Sequence, residues 1–161
     1  EGDTIPYVKL PTVYIFKPLK FKNRREMAKY YKLIRDVKKV LPISKEINRA
    51  IIETYEYLQT IPTEKGRQKH LKAVEKGLKE QYTPRMKKLS FSQGKLLIKL
   101  VDRQTHSTSY ELVKAFMGPF KAGFYQTFAA LFGASLKKQY DPTGDDALTE
   151  RVILMVESGQ L

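Results

Sequence analysis

The sequence predicts an all-α fold, a helical bundle of about six helices with a short extended or β-hairpin arm at its N-terminus. From Asn23 onward apolar residues recur at spacings of three and four, the period that lines one face of a helix. Three segments, Asn23-Arg-Arg-Glu26, Ser90-Phe-Ser-Gln93 and Thr108-Ser-Tyr-Glu111, have the pattern of capping boxes that open helices. Before Asn23 the pattern differs. Residues 5–10 and 12–16 are short β-branched and aromatic runs bounded by Pro6, Pro11 and Pro18, and such an arm needs a body to pack on. The 161 residues fit one core, so residues 1–22 are read as the arm and residues 23–161 as a single α-helical domain.

Met27, Tyr31, Ile34, Val37 and Leu41 share the first helical face, which Pro42 interrupts. Ile43, Ile47, Ile51, Tyr55 and Leu58 continue the pattern to Thr60, so the segment is either two helices or one long helix kinked at Pro42. Thr63 can cap the next helix, whose stripe is Leu71, Val74, Leu78 and Tyr82 and whose end Thr83-Pro84 marks. Ser90 opens a helix carrying Gly94, Leu97, Ile98 and Val101 that fades near Thr105. Thr108 opens a short one that Gly118-Pro119 stops. Phe120, Phe124, Phe128 and Phe132 fall at i+4 intervals in a helix apolar on most sides, expected to be the buried centre of the fold and to end at Gly133. A loop, Tyr140-Asp-Pro-Thr-Gly, leads to a last amphipathic helix over about 145–157, closed by Gly159.

Composition excludes several chemistries. With no cysteine there is no disulfide, thiolate nucleophile, Cys-ligated zinc or iron–sulfur cluster. The longest uncharged stretch, residues 122–136, is shorter than the ~20 residues a membrane span needs, so no transmembrane segment is expected. His70 and His106 lack metal-ligand spacing, and Pro142 and Gly144 fall wrongly for an EF-hand, so neither a metal nor a cofactor is expected.

Charge is the strongest clue. The net charge is +13, and residues 1–88 hold 22 basic against 10 acidic side chains, net +12. Lys65, Lys69, Lys72, Lys76 and Lys79 step by four, three, four and three along one helix face. Arg25, Lys29, Lys32 and Lys39 do nearly the same, with Asp36 in the remaining slot. Such stripes bind anionic surfaces or polymers by counterion release; lipid headgroups, lipopolysaccharide, acidic glycans and nucleic acid all fit. The plainer reading is a solvated face, diluted by Glu26, Glu64, Glu75 and Glu80. Tyr30, Tyr31, Tyr55 and Tyr57 interleave with the basic residues as base-stacking platforms would, without a nucleic-acid motif.

A polar junction at residues 99–111 offers Lys99, Asp102, Arg103, Ser109 and Tyr110 as candidate site residues. Asp102 could orient His106, with Ser107 or Ser109 as nucleophile, so the residue types of a hydrolytic triad are present. No G-x-S-x-G elbow accompanies them. A structural reading covers the same residues: Asp102 pairs with Lys99, Thr108 caps the next helix and Glu111 closes its box. No residue is assigned as catalytic.

The chain resembles an uncharacterised family of Bacteroidetes proteins known only as a domain of unknown function. The resemblance rests on Gly2-Asp-Thr-Ile-Pro-Tyr, Tyr30-Tyr-Lys-Leu-Ile-Arg-Asp-Val-Lys-Lys-Val, Gln93-Gly-Lys-Leu-Leu-Ile-Lys-Leu-Val-Asp-Arg, Ser109-Tyr-Glu-Leu-Val-Lys, Phe132-Gly and Tyr140-Asp-Pro. It implies an exported, periplasmic protein whose leader has been removed, consistent with a chain that opens at Glu1. It supplies no activity or ligand, and its pattern does not require histidine at position 106. The leading expectation is therefore a non-enzymatic cell-envelope module that holds an anionic partner on its N-terminal basic face, with the two stripes side by side. The alternatives are a hydrolase-like enzyme with its site at the polar junction, and a protein-interaction scaffold that uses the arm through Phe16.

Overall fold

A computed structural model describes residues 7–107 and 140–161, together with Gln126 and Ala130, which are helical and exposed. Among the described residues the protein has four helices rather than about six, and no β-hairpin: α1 Arg24–Thr60, α2 Glu64–Met86, α3 Phe91–Ser107 and α4 Ala147–Glu157. The expected helix after Thr108, the phenylalanine helix with Phe120, Phe124, Phe128 and Phe132, and the cap at Gly133 lie outside the described residues.

The long segment around Pro42 is a single helix of 37 residues, about 55 Å from end to end. Asn23 accepts the N–H of Glu26 at 2.9 Å, and the Glu26 carboxylate reaches back to the Lys22 N–H, also at 2.9 Å. Proline in a helix interior removes a hydrogen bond and costs about 3 kcal/mol. Tertiary burial offsets that cost here. Pro42 itself faces solvent, while Val37, Val40, Leu41, Ile43 and Ile47 on either side of it are buried in the core. The buried Ser44 hydroxyl also donates to the Leu41 carbonyl at 2.8 Å.

Thr63 caps α2 by accepting the Gly66 N–H at 3.2 Å. The helix runs past the Thr83-Pro84 stop to Met86, because Tyr82 and Met86, one turn apart, are both buried. α2 returns antiparallel along the C-terminal half of α1, where Arg85 pairs with Glu46 and the His70 ring lies 4.6 Å from that of Tyr57. Ser90 and Gln93 close a reciprocal capping box on α3. The core lies where α3 and α4 meet the middle of α1, with Leu97, Leu100, Val152 and Ile153 fully enclosed.

α4 ends at Gly159, whose φ of 74° suits a residue without Cβ. The Gly159 N–H bonds the Val156 carbonyl and the Gln160 N–H bonds that of Met155, the pairing of a Schellman cap. That turn brings Gln160 onto the arm. Its side-chain amide accepts the Tyr14 N–H at 2.9 Å and donates to the Tyr14 carbonyl at 2.8 Å. Arg151 donates to the Lys17 carbonyl at 2.7 Å and lies 4.8 Å from the Phe16 ring centre. The arm thus packs on its own domain, as one extended segment.

Candidate functional site

The lysine stripe of α2 stands free in solvent. Lys65, Lys69, Lys72, Lys76 and Lys79 are all exposed. Among the described residues only Lys76 meets a carboxylate, that of Glu80 at 3.9 Å. Glu64, the acid nearest the start of the stripe, is taken by Arg67 at 3.8 Å and Gln68 at 3.3 Å. The stripe faces outward because Leu71, Val74 and Leu78, roughly a third of a turn or more round the helix, are the half-buried residues turned toward the body.

The stripe of α1 is used differently. Lys32 donates to Asp36 at 2.6 Å and to Ser92 at 2.8 Å, and Lys39 donates to Gln93 at 3.1 Å. Gln93 in turn donates to Asp36 at 2.9 Å. Burial pushes the Asp36 carboxyl up, but the bonds from Lys32 and Gln93 outweigh it and hold the group below the usual carboxylate range. These residues fasten α1 to the start of α3. Arg25 and Lys29 make no ion pair among the described residues. Lys29 and Lys32 border a shallow groove of about 340 Å³ with Lys95 and Lys99, and Asp36 and Asp146 share its lining.

The two stripes do not form adjacent rows. Arg85 meets Glu46 and His70 meets Tyr57, so α2 runs beside α1 from position 46 onward, whereas residues 25–39 lie on the opposite end of α1. Lys32 and Tyr57 are about 37 Å apart along the helix axis. An unbroken helix through Pro42 keeps the stripes apart, where a turn at that proline would have stacked them.

The polar junction holds the molecule together. Lys99 pairs with Asp146, not with Asp102. Asp102, only 4% exposed, accepts the Tyr140 N–H at 2.9 Å. Arg103 grips Glu150 with two bonds of 2.7 Å, and the Tyr140 hydroxyl donates to the same carboxylate at 2.6 Å. Burial pushes Glu150 up, yet the Arg103 and Tyr140 bonds hold its carboxyl below its ordinary value. Burial and the Glu150 bond push the Tyr140 hydroxyl well above the usual phenol range. Lys99, Asp102 and Arg103 therefore tie α3 to α4 and to the loop before it. Ser109, Tyr110, the Thr108 cap and the side chains of His106 and Ser107 lie outside the described residues.

Tyr140, Glu150, Arg151 and Gln160 were not found by sequence reasoning. Their partners lie 10 to 146 residues away, and no local motif announces such a bond. Gly159 was the one available signal, since it fixes where the chain turns back. Asp141 accepts the Gly144 N–H at 2.9 Å and builds the turn before α4. Among the described residues no cluster of His, Asp or Glu is arranged to hold a metal, and no helix is long and apolar enough to cross a membrane.

Residues 3–155 match the family model described as Domain of unknown function (DUF4294), and the chain belongs to that family. No curated protein and no solved structure matches the chain.

Proposed function

We propose that this member of the family is a non-enzymatic helical module, exported to the cell envelope, that holds an anionic partner on the lysine face of α2. The observation that carries the proposal is the exposure of Lys65, Lys69, Lys72, Lys76 and Lys79 on one face with a single long ion pair among them. Unpaired lysines in a row concentrate positive potential where it reaches solvent, and phosphate or carboxylate groups on a surface or polymer gain by displacing the counterions gathered there. The exported location rests on the family resemblance alone.

This reading moves the site from both basic stripes to one. Lys32 pairs with Asp36 and Lys39 bonds the Gln93 amide, so both are engaged in fastening α1 to α3 while remaining exposed, and neither stands as free of partners as the α2 lysines do. The junction residues Lys99, Asp102 and Arg103 are likewise committed to structural partners, which speaks against the enzymatic alternative.

The test uses vesicles containing an anionic phospholipid, with polyphosphate as a lipid-free probe. Binding is expected at about 50 mM salt and is expected to fall a hundredfold or more by about 200 mM. Reversing Lys69, Lys72 and Lys76 to Glu is expected to abolish it while helicity by circular dichroism stays unchanged. Parent-like binding by the triple variant rejects the proposal.

A further inference from the structure

Three observations show that residues 13–16 are extended like a β-strand, without a ladder. The N–H and the C=O of Tyr14 both meet the Gln160 side-chain amide, which requires the two groups to point the same way, as they do in an extended residue. The Tyr14 and Phe16 rings lie 6.2 Å apart and within 22° of parallel, the i, i+2 relation on one face of a strand. Exposure alternates with the same period: Val13 is 64% and Ile15 95% exposed, while Tyr14 and Phe16 are half-buried. Gln160 therefore plays the part of a neighbouring strand along one edge.

The other edge is open. In an extended chain the backbone groups of residues 13 and 15 point away from those of residue 14. No described residue bonds the N–H or C=O of Val13 or Ile15. Thr12-Val-Tyr-Ile-Phe16 is β-branched and aromatic throughout, with no charge to blunt the edge.

We propose that this edge pairs with the same edge of a second copy of the chain, so that the arm is a dimerisation strand. An antiparallel pair centred on Tyr14 sets Val13 against the partner's Ile15, where each exchanges both backbone bonds and packs its β-branched side chain on the other. The arrangement is self-complementary, as a twofold interface must be. It also stops at two. Each arm's inner edge is held by its own Gln160, so a third strand has no edge to join. Pro11, which falls on the open edge, bounds the ladder by lacking an N–H. The ladder is short, which places the dimer in the weak class of interfaces, with association in the micromolar to millimolar range.

Two copies of net charge +13 repel one another, so added salt strengthens this association, whereas it weakens anion binding. The sign of the salt effect separates this proposal from the one above. Sedimentation of the parent chain from about 10 µM to about 1 mM in physiological salt is expected to show the mass rising from 18.7 kDa toward twice that value. Ile15→Pro removes an edge N–H, lies outside the helical core, and is expected to stay monomeric with parent-like helicity.

The chain has no cysteine, so a single introduced thiol reports the register. Directly opposed residues of a non-hydrogen-bonded pair sit about 4.5 Å apart at Cα, within disulfide reach. Tyr14→Cys is expected to form a disulfide dimer at least tenfold faster than Leu10→Cys, although Leu10 is the more exposed of the two positions, and adding Ile15→Pro is expected to remove the advantage. A parent that stays monomeric at about 1 mM overturns the proposal and leaves the edge to a foreign strand or to none. Equal cross-linking by the two cysteine variants, or association of Ile15→Pro at the parent's strength, overturns it as well.

Discussion

Glu150 shows how a single carboxylate can join three parts of the chain: it takes two bonds from Arg103 on α3 and one from the Tyr140 hydroxyl in the loop before α4. A carboxyl held below its ordinary value of 4.5 binds fewer protons in the folded than in the unfolded protein. Its stabilising contribution is therefore fully present above the unfolded value and is lost as pH falls through the lower folded one. Asp36, depressed from 3.8, acts in the same direction. The melting temperature is expected to hold from pH 7 to about 5 and to drop steeply below about 4. Glu150→Gln is expected to melt lower than the parent at pH 7, because it leaves the half-buried Arg103 with only the longer pair to Glu157 at 3.5 Å, and to show a shallower acid limb. An acid limb identical to the parent's would show that Glu150 does not carry the effect. At this scale the sequence was legible where bonds are local. The caps at Asn23, Thr63 and Ser90 and the αL position at Gly159 all appear as their motifs require. Lys99 was legible as a paired residue but not in its choice of partner, since an i+3 neighbour, Asp102, and a remote one, Asp146, offer the same charge and only the fold decides.

Helix periodicity was the most legible feature of the elements, and proline the least. Both Pro42 and Pro84 mark ends in the local code, and the protein runs a helix through each. The reason is the same in both places: close neighbours on the opposite face, Val40, Leu41 and Ile43 around Pro42 and Tyr82 and Met86 around Pro84, are buried, and burying a large apolar side chain contributes about 1.5–3 kcal/mol apiece, enough to outweigh the helix-breaking cost. Local rules lose where long-range packing is dense. If burial rather than proline holds α1 together, then removing the proline should only help. Pro42→Ala restores an N–H to the helix ladder at an exposed position and is expected to raise stability by about 1–3 kcal/mol, read as a higher urea midpoint with an unchanged slope. A loss of stability would mean that the proline shapes a bend on which the core depends. The arm was legible as extended, yet its docking was not, because the Gln160 amide that receives it lies 146 positions away.

Among the described residues packing is densest where α3 and α4 meet α1 and lightest along α2. Of the 23 residues of α2 only Tyr82 and Met86 are buried, both near its C-terminus. The lysine face therefore rides on the one of the four described helices with the smallest share of buried residues, where five like charges spaced about one turn apart repel each other. Local opening free energy follows burial, so residues 64–80 are expected to exchange their amide hydrogens much faster than residues 91–104 of α3. A ligand that binds the closed helix and neutralises the row should slow that exchange in proportion to its saturation, by mass action. Hydrogen exchange read by mass spectrometry, with and without polyphosphate at about 50 mM salt, is expected to show new protection confined to α2 and the facing end of α1. The protection should vanish in the Lys69, Lys72 and Lys76 to Glu variant and in about 200 mM salt. Uniform protection across α3 and α4 would instead mean that the anion acts on global stability without a face of its own. Protection centred on Lys29 and Lys95 would move the binding site to the groove between α1 and α3.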